Sequence, residues 1–359
     1  MPKNIKLRFG VVAAVAAAAL SFSAIAPASA DPSGAKDING TGSDTTQDLV
    51  GGIAAVVTNI GSYDATGPSP ITVNGTTFSR PVGSSAGIRA LSSSIRGIAY
   101  AGTVLPVGTL QFARSSALRT ESGTELTYIP FARDAVTIAM SAASDFPKDV
   151  ALGSSGQATN LFTLRNIYLG TVTSFVDSSF SSQTIRPILP QLNSGTRNFW
   201  VSALGTTETA LTAGGKATDI GNSVIEHDGS FVTGPGDIVP FSIAQFIAQG
   251  NYRSLPTTVI ERRGNIVLGG IDTEKPIVAL AGGGVKLNDN FPVTRLVYNV
   301  VETRALTTAA PSTSDSAIRA AFVGSTSAVC AASAKILQYG FGTIGATCGS
   351  VTSKAGYVN

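Results

Sequence analysis

Three stretches of this sequence place glycine and short hydroxyl side chains directly before an apolar pattern of helical spacing: Gly40-Thr41-Gly42-Ser43-Asp44-Thr45, Gly83-Ser84-Ser85-Ala86-Gly87 and Asn193-Ser194-Gly195-Thr196. The chemistry this combination suits is the holding of an anion. A helix start presents unpaired backbone N–H groups and the positive end of the dipole, and Ser or Thr hydroxyls add further donors. One such start is an ordinary cap, because Ser and Thr satisfy orphan N–H groups without any ligand. Three are harder to dismiss, with Arg114, Ser115 and Ser116 ending a short apolar segment, since a guanidinium fork meets two oxyanion oxygens at once. The candidate contacts are Ser43, Asp44, Thr45, Ser84, Ser85, Arg114, Ser116, Asn193, Ser194, Gly195 and Thr196, with the last four foremost.

The same residues admit a hydrolase. Gly83-x-Ser85-x-Gly87 fits the pattern around a serine nucleophile, with His227 as base and Asp134 or Asp177 as its orienting acid. The motif arises easily by chance in a chain holding 39 Gly. A long segment also follows His227, whereas the hydrolase fold places its histidine late. His227-Asp228-Gly229 reads better as a polar turn. No catalytic residue is assigned, and the chain is expected not to be an enzyme.

Holding these groups in place requires strand, turn and helix units. Residues 37–60 read as a short strand, a turn and a helix carrying Leu49, Val50, Ile53, Val56, Val57 and Ile60, with Thr45 and Asp48 as a capping box. Ile88, Leu91 and Ile95 continue the second stretch as a helix. Residues 184–205 change character at Asn193. Ile185, Ile188 and Leu189 form a strand interrupted by Pro187 and Pro190, and Phe199, Trp200, Ala203 and Leu204 form a helix closed by Gly205. Residues 126–141 alternate as one long strand able to cross between domains, and 291–301 form its return partner. Helices are expected over 161–170, within 238–249 and over 314–335.

Residues 1–30 carry Lys3, Lys6 and Arg8, an apolar run over 11–20, and Ala28-Ser29-Ala30, the pattern of a cleaved export signal. The three basic residues leave with it, so the count of 25 Lys+Arg falls to equal the 22 Asp+Glu. A nucleic-acid face is therefore not indicated. The apolar run is shorter than the roughly 20 residues of a spanning helix. Cys330 and Cys348, in a chain bound for an oxidising compartment, are expected to form a disulfide. No cysteine follows Ala30 to take a lipid anchor. A single histidine and the absence of a CxxC pair argue against a zinc site, and neither metal nor cofactor is expected.

Taken in order, Gly40-Thr41-Gly42-Ser43, Gly83-Ser84-Ser85-Ala86-Gly87, IPFARDAVTIAM, the helix ending IYLG, NSGTR before an aromatic and FPVTR before an apolar strand resemble the phosphate-binding proteins of ABC importers. The resemblance implies a two-lobed type II periplasmic-binding-protein-like α/β fold, with a mixed sheet in each lobe flanked by helices and two crossing strands as hinge. It divides the chain into 31–126 as the first part of lobe one, 127–294 as lobe two and 295–359 as the return to lobe one. It implies a secreted monomer that captures phosphate or a related oxyanion in an interlobe cleft for an ABC permease. Ser84 matches a phosphate-binding serine of the family's first lobe, and Ser194, Gly195 and Thr196 match the second lobe's cradle. Three positions depart: Pro190 stands where the family has Arg, Ser116 where it has a proton-accepting Asp, and Asp44 where it has a hydroxyl. Arg114 is expected to replace the lost cation, and Asp44 to accept a proton or pair with Arg114. Loss of two polar contacts also leaves open a secreted binding-fold protein without a transport role.

Overall fold

The computed structural model describes residues 31–34, 36–154, 161–213, 217–256 and 258–359. The expected export signal, 1–30, lies outside the described residues. No helix among the described residues is long and apolar enough to cross a membrane.

The sheet is built on one strand. Nine strands join in it: β1 (Ile38–Gly42), β2 (Ile60–Ser62), β3 (Phe112–Ser115), β4 (Leu126–Ser141), β5 (Arg186–Pro187), β6 (Asp237–Ser242), β7 (Ile266–Leu268), β8 (Thr294–Glu302) and β9 (Ser353–Ala355). Their order is β5-β6-β4-β8-β3-β1-β2, with β7 and β9 also on β4. At 16 residues, β4 is about 50 Å long at roughly 3.3 Å per residue. Its first part, Leu126 to Ala135, runs antiparallel to β8, and its second part, Val136 to Met140, runs antiparallel to β6. Two half-sheets thus share β4. β1 lies parallel to β2 and β3, and β5 parallel to β6, so the structure is a mixed α/β arrangement.

The helices that matter for the site are α1 (Gln47–Ala54), α2 (Ser84–Arg96), α3 (Leu164–Tyr168), α4 (Gly195–Ala203), α5 (Ile243–Gly250) and α6 (Thr313–Phe322). Two large apolar cores flank the crossing. One gathers Leu49 and Ile53 of α1, Phe112, Phe131 and Val297 of the strands and Phe322 of α6. The other gathers Val136 and Ile138, Leu164 and Tyr168 of α3, and Trp200 and Leu204 around α4. Helix α5 lies between them: Ala244 and Ala248, four apart, pack on the first, while Ile243 and Ile247 pack on the second. That spacing gives one helix two apolar stripes.

Several expected boundaries move. The first helix stops at Ala54, and Ile60 belongs to β2 instead. The strand before Asn193 shrinks to Arg186–Pro187, because a proline has no N–H for the ladder. The expected 314–335 helix breaks after Phe322, where Gly324 takes φ +84°. Cys330 and Cys348 are bonded as expected, with Cα atoms 5.9 Å apart.

Candidate functional site

The first helix start does not close on itself as expected. Thr46 takes the cap position of α1 without any side-chain cap bond, which frees the hydroxyl of Thr45 to point elsewhere. Thr45 Oγ1 lies 3.1 Å from Glu226 Oε2 and 3.1 Å from His227 Nε2. Thr196, in the first turn of α4, donates to the same Glu226 oxygen at 2.5 Å. The two threonine hydroxyls stand 3.5 Å apart, so helix starts from opposite ends of the sheet converge on one carboxylate oxygen.

Behind them lies Arg295, at the start of β8. It is paired in register with Asp134 of β4, and its Nε and Nη2 reach Asp134 Oδ2 at 3.0 and 2.8 Å. Asp134 Oδ1 accepts from Ser242 Oγ at 2.8 Å and from the Ala244 backbone N–H at 3.2 Å. One carboxylate therefore neutralises the guanidinium and satisfies a donor at the start of α5. Arg295 Nη2 also donates to Thr196 Oγ1 at 2.9 Å and to Thr45 Oγ1 at 3.4 Å. Its Nη1 is buried without a hydrogen-bond partner among the described residues. The guanidinium also lies over the Phe199 ring, 5.5 Å from its centroid, and helps line a cavity of about 360 Å³ with Leu118, Asn198, Phe199, Ser202 and Tyr298.

The whole cluster is buried: Thr45, Thr196 and Asp134 fully, and Glu226, His227 and Arg295 nearly so. Burial by itself would raise the Glu226 carboxyl, but the hydrogen bond and charge of His227 and the charge of Arg295 outweigh it and hold the group well below the usual range. Asp44 goes the other way, pushed up by burial and then by the Glu226 charge. Hydroxyl donors from two elements, with a cation behind them, thus surround one internal carboxylate oxygen.

Most of the remaining expected contacts form a second junction, between the start of α2 and that of α4. Ser84 Oγ accepts from the Ser116 backbone N–H at 3.1 Å and lies 3.2 Å from Ser116 Oγ. Both hydroxyls press on Gly195, where an added Cβ would fall 2.2 Å from Ser116 Oγ and 2.5 Å from Ser84 Oγ, so only glycine fits. Ser194 caps α4, accepting from the Arg197 N–H at 2.8 Å. Asn193, at φ +69°, accepts through its side chain from Arg89 at 3.4 Å. Ser85 accepts from Arg119 at 2.9 Å. Ser43 keeps a buried hydroxyl with no partner among the described residues.

Arg114 is a correction. Its guanidinium is fully buried beneath the first helix start, donating to the Ser43 carbonyl at 3.2 Å, Ser62 Oγ at 2.9 Å and the Gly42 carbonyl at 3.5 Å. It props the loop rather than facing the two threonines, because β1 and β3 are adjacent and place it behind the turn. No ion pair joins Arg114 to Asp44 among the described residues. The hydrolase constellation also fails to assemble. Ser85 is bound to Arg119, His227 to Thr45 and Glu226, and Asp134 to Arg295.

Sequence reasoning missed Glu226, Arg295 and Gln245, whose amide donates to the Thr45 carbonyl at 2.7 Å. Arg295 lay within the quoted FPVTR, before an apolar strand, and that was a usable signal. Glu226 had none, since a lone carboxylate in a turn looks solvated.

A family model described as a PBP superfamily domain matches residues 27–256. Among solved structures, an ABC-type phosphate transport receptor from Vibrio cholerae shares 15% identity over 86% of this chain and 100% of its own, with a TM-score of 0.52. A phosphate-binding protein from Stenotrophomonas maltophilia shares 13% identity over 86% of this chain and 91% of its own, with a TM-score of 0.45. At such identities the likeness concerns the fold. No curated protein sequence matches the chain.

Proposed function

Because the chain belongs to the PBP superfamily, we propose that it is an extracytoplasmic solute-binding protein that closes two lobes on an oxyanion, phosphate, and presents it to an ABC-type importer. Lobe one comprises 31–126 and 295–359, lobe two 127–294, and the protein acts as a monomer. The observation that carries the reading is the convergence of Thr45 and Thr196 on one buried carboxylate oxygen, with the Arg295 guanidinium bonded to both threonine hydroxyls behind it. Donors already satisfied by a carboxylate oxygen suit a phosphate oxygen equally, since both are anionic acceptors of similar geometry. The incoming anion takes the place of Glu226 Oε2 and gains Arg295 Nη1. The phosphate named for the Vibrio cholerae receptor supports the choice of anion, as does the export signal for location.

A specific observation favours a second reading, a secreted binding-fold protein without transport. Glu226 already fills the anion position, and Arg114 is committed to carbonyls. Calorimetric titration of the chain with phosphate, in buffer containing a chelator, distinguishes the two when repeated on Glu226→Gln. The transport reading expects binding by wild type and tighter binding by the variant, which has lost a competing charge. Absence of phosphate binding in both proteins would leave the second reading standing.

A further inference from the structure

Asp44, Glu226 and His227 form a cluster that oxyanion capture leaves unexplained. One ligating atom from each lies within 4.8 Å of the other two, and all three residues are buried. Glu226 Oε2 and His227 Nε2 are 3.2 Å apart, the separation of neighbouring ligands each bonded to one metal at about 2.0 to 2.2 Å. Two adjacent buried carboxylates are costly unless a positive charge offsets them. Among the described residues, the ion pair of Arg295 is made with Asp134, not with Asp44 or Glu226.

The cluster also has unused ligating capacity. Asp44 Oδ2 and Glu226 Oε1 are buried without a partner among the described residues. The Gln245 amide is anchored on the Thr45 carbonyl at 2.7 Å, and its Oε1 is likewise buried and unpartnered. Two carboxylates and an imidazole, each able to ligate a cation through a lone pair, thus lie together with two carboxylate oxygens free of hydrogen bonds among the described residues.

We propose that Asp44, Glu226 and His227 form a divalent-cation site between the two lobes, selective for a first-row ion such as Zn²⁺ over Mg²⁺ or Ca²⁺. The imidazole decides the class: nitrogen suits zinc and its neighbours, whereas magnesium and calcium favour oxygen-only shells of six or more ligands. Asp44 belongs to the loop before α1, and Glu226 and His227 to the segment before β6, so a bound ion ties the lobes together. Ion entry requires them to part. Counting His and Cys in the sequence passes over this set because two of its three ligands are carboxylates. The site is independent of the phosphate reading, since cation binding is measured without phosphate.

The test strips the mature chain with a chelator and titrates it with ZnCl₂, MgCl₂ and CaCl₂ in phosphate-free buffer by calorimetry. Metal content after desalting is then counted by mass spectrometry. The expected result is one Zn²⁺ per chain, at least a hundredfold weaker Mg²⁺ and Ca²⁺, and at least a tenfold loss of zinc affinity in each of Glu226→Gln and Asp44→Asn. Circular dichroism melts verify that each variant is folded, and His227→Gln replaces any that is not. Co²⁺ substitution should give visible bands that these variants abolish. Absence of zinc binding by wild type overturns the proposal. So does zinc binding that survives both Glu226→Gln and Asp44→Asn, because the ion then sits elsewhere.

Discussion

Thr45 and Thr196 bring their hydroxyls to within 3.5 Å of one another, and each also meets Glu226 Oε2, at 3.1 and 2.5 Å. Two helix starts far apart in sequence are thereby joined through a shared acceptor. Thr196→Val keeps the shape and removes the donor. A hydrogen bond to a charged acceptor contributes about 1.5 to 3 kcal/mol, so phosphate affinity should fall roughly ten- to hundredfold by calorimetry.

The two buried arginines should separate cleanly. Arg295→Lys retains a charge for Asp134 but loses the fork that reaches Thr196 and Thr45, and phosphate binding should weaken at least tenfold. Arg114→Lys leaves binding within about threefold while lowering stability, since its bonds to the Ser43 and Gly42 carbonyls and Ser62 are replaced by a single ammonium. Calorimetry and urea unfolding of both variants would check the split.

The contribution of Asp48 to stability should fall as pH rises from about 4 to 6. Burial, then the Asp64 charge, pushes Asp48 up from 3.8 to about 6. Below the unfolded value, near 3.9, both states are protonated and the contribution is fully present. As pH rises through the folded value it is lost, to a total of about 3 kcal/mol for a shift of roughly two units. The raised Asp44 acts in the same direction. Asp48→Asn should flatten this decline in urea unfolding measured across the window, leaving a gain at pH 8 and little change at pH 4.

Long-range order was legible where the pattern was long. Residues 126–141, read as one long strand, form β4 with the expected ends; the strand is buried on both faces, so its sequence is largely apolar rather than strictly alternating. Ser194, Gly195 and Thr196 were legible because a cap and a tight approach each restrict residue type. Arg114 misled because a guanidinium in a short apolar segment gives no sign of whether it faces ligand or carbonyls. Glu226 escaped because its role exists only once β4, β8 and the loop before β6 meet, whereas Arg295 stood in the quoted FPVTR and was passed over.

Reduction of the Cys330–Cys348 bond should cost about 3 kcal/mol, the chain-entropy value for a loop of roughly this length. The bridge ties the segment after α6 back against Phe131, whose carbonyl lies 3.6 Å from Cys348 Sγ. Urea unfolding with and without reductant measures it. An unchanged midpoint would show that the segment holds without the bridge.

Oxyanion capture at the Thr45–Thr196–Arg295 junction is tested most directly by a crystal structure of the chain grown with phosphate. A phosphate oxygen should lie where Glu226 Oε2 now sits, within hydrogen-bond distance of both threonine hydroxyls, with another phosphate oxygen within reach of Arg295 and the Glu226 side chain displaced. Phosphate bound elsewhere, or density showing Glu226 still on Thr45 and Thr196 at saturating phosphate, would contradict the account.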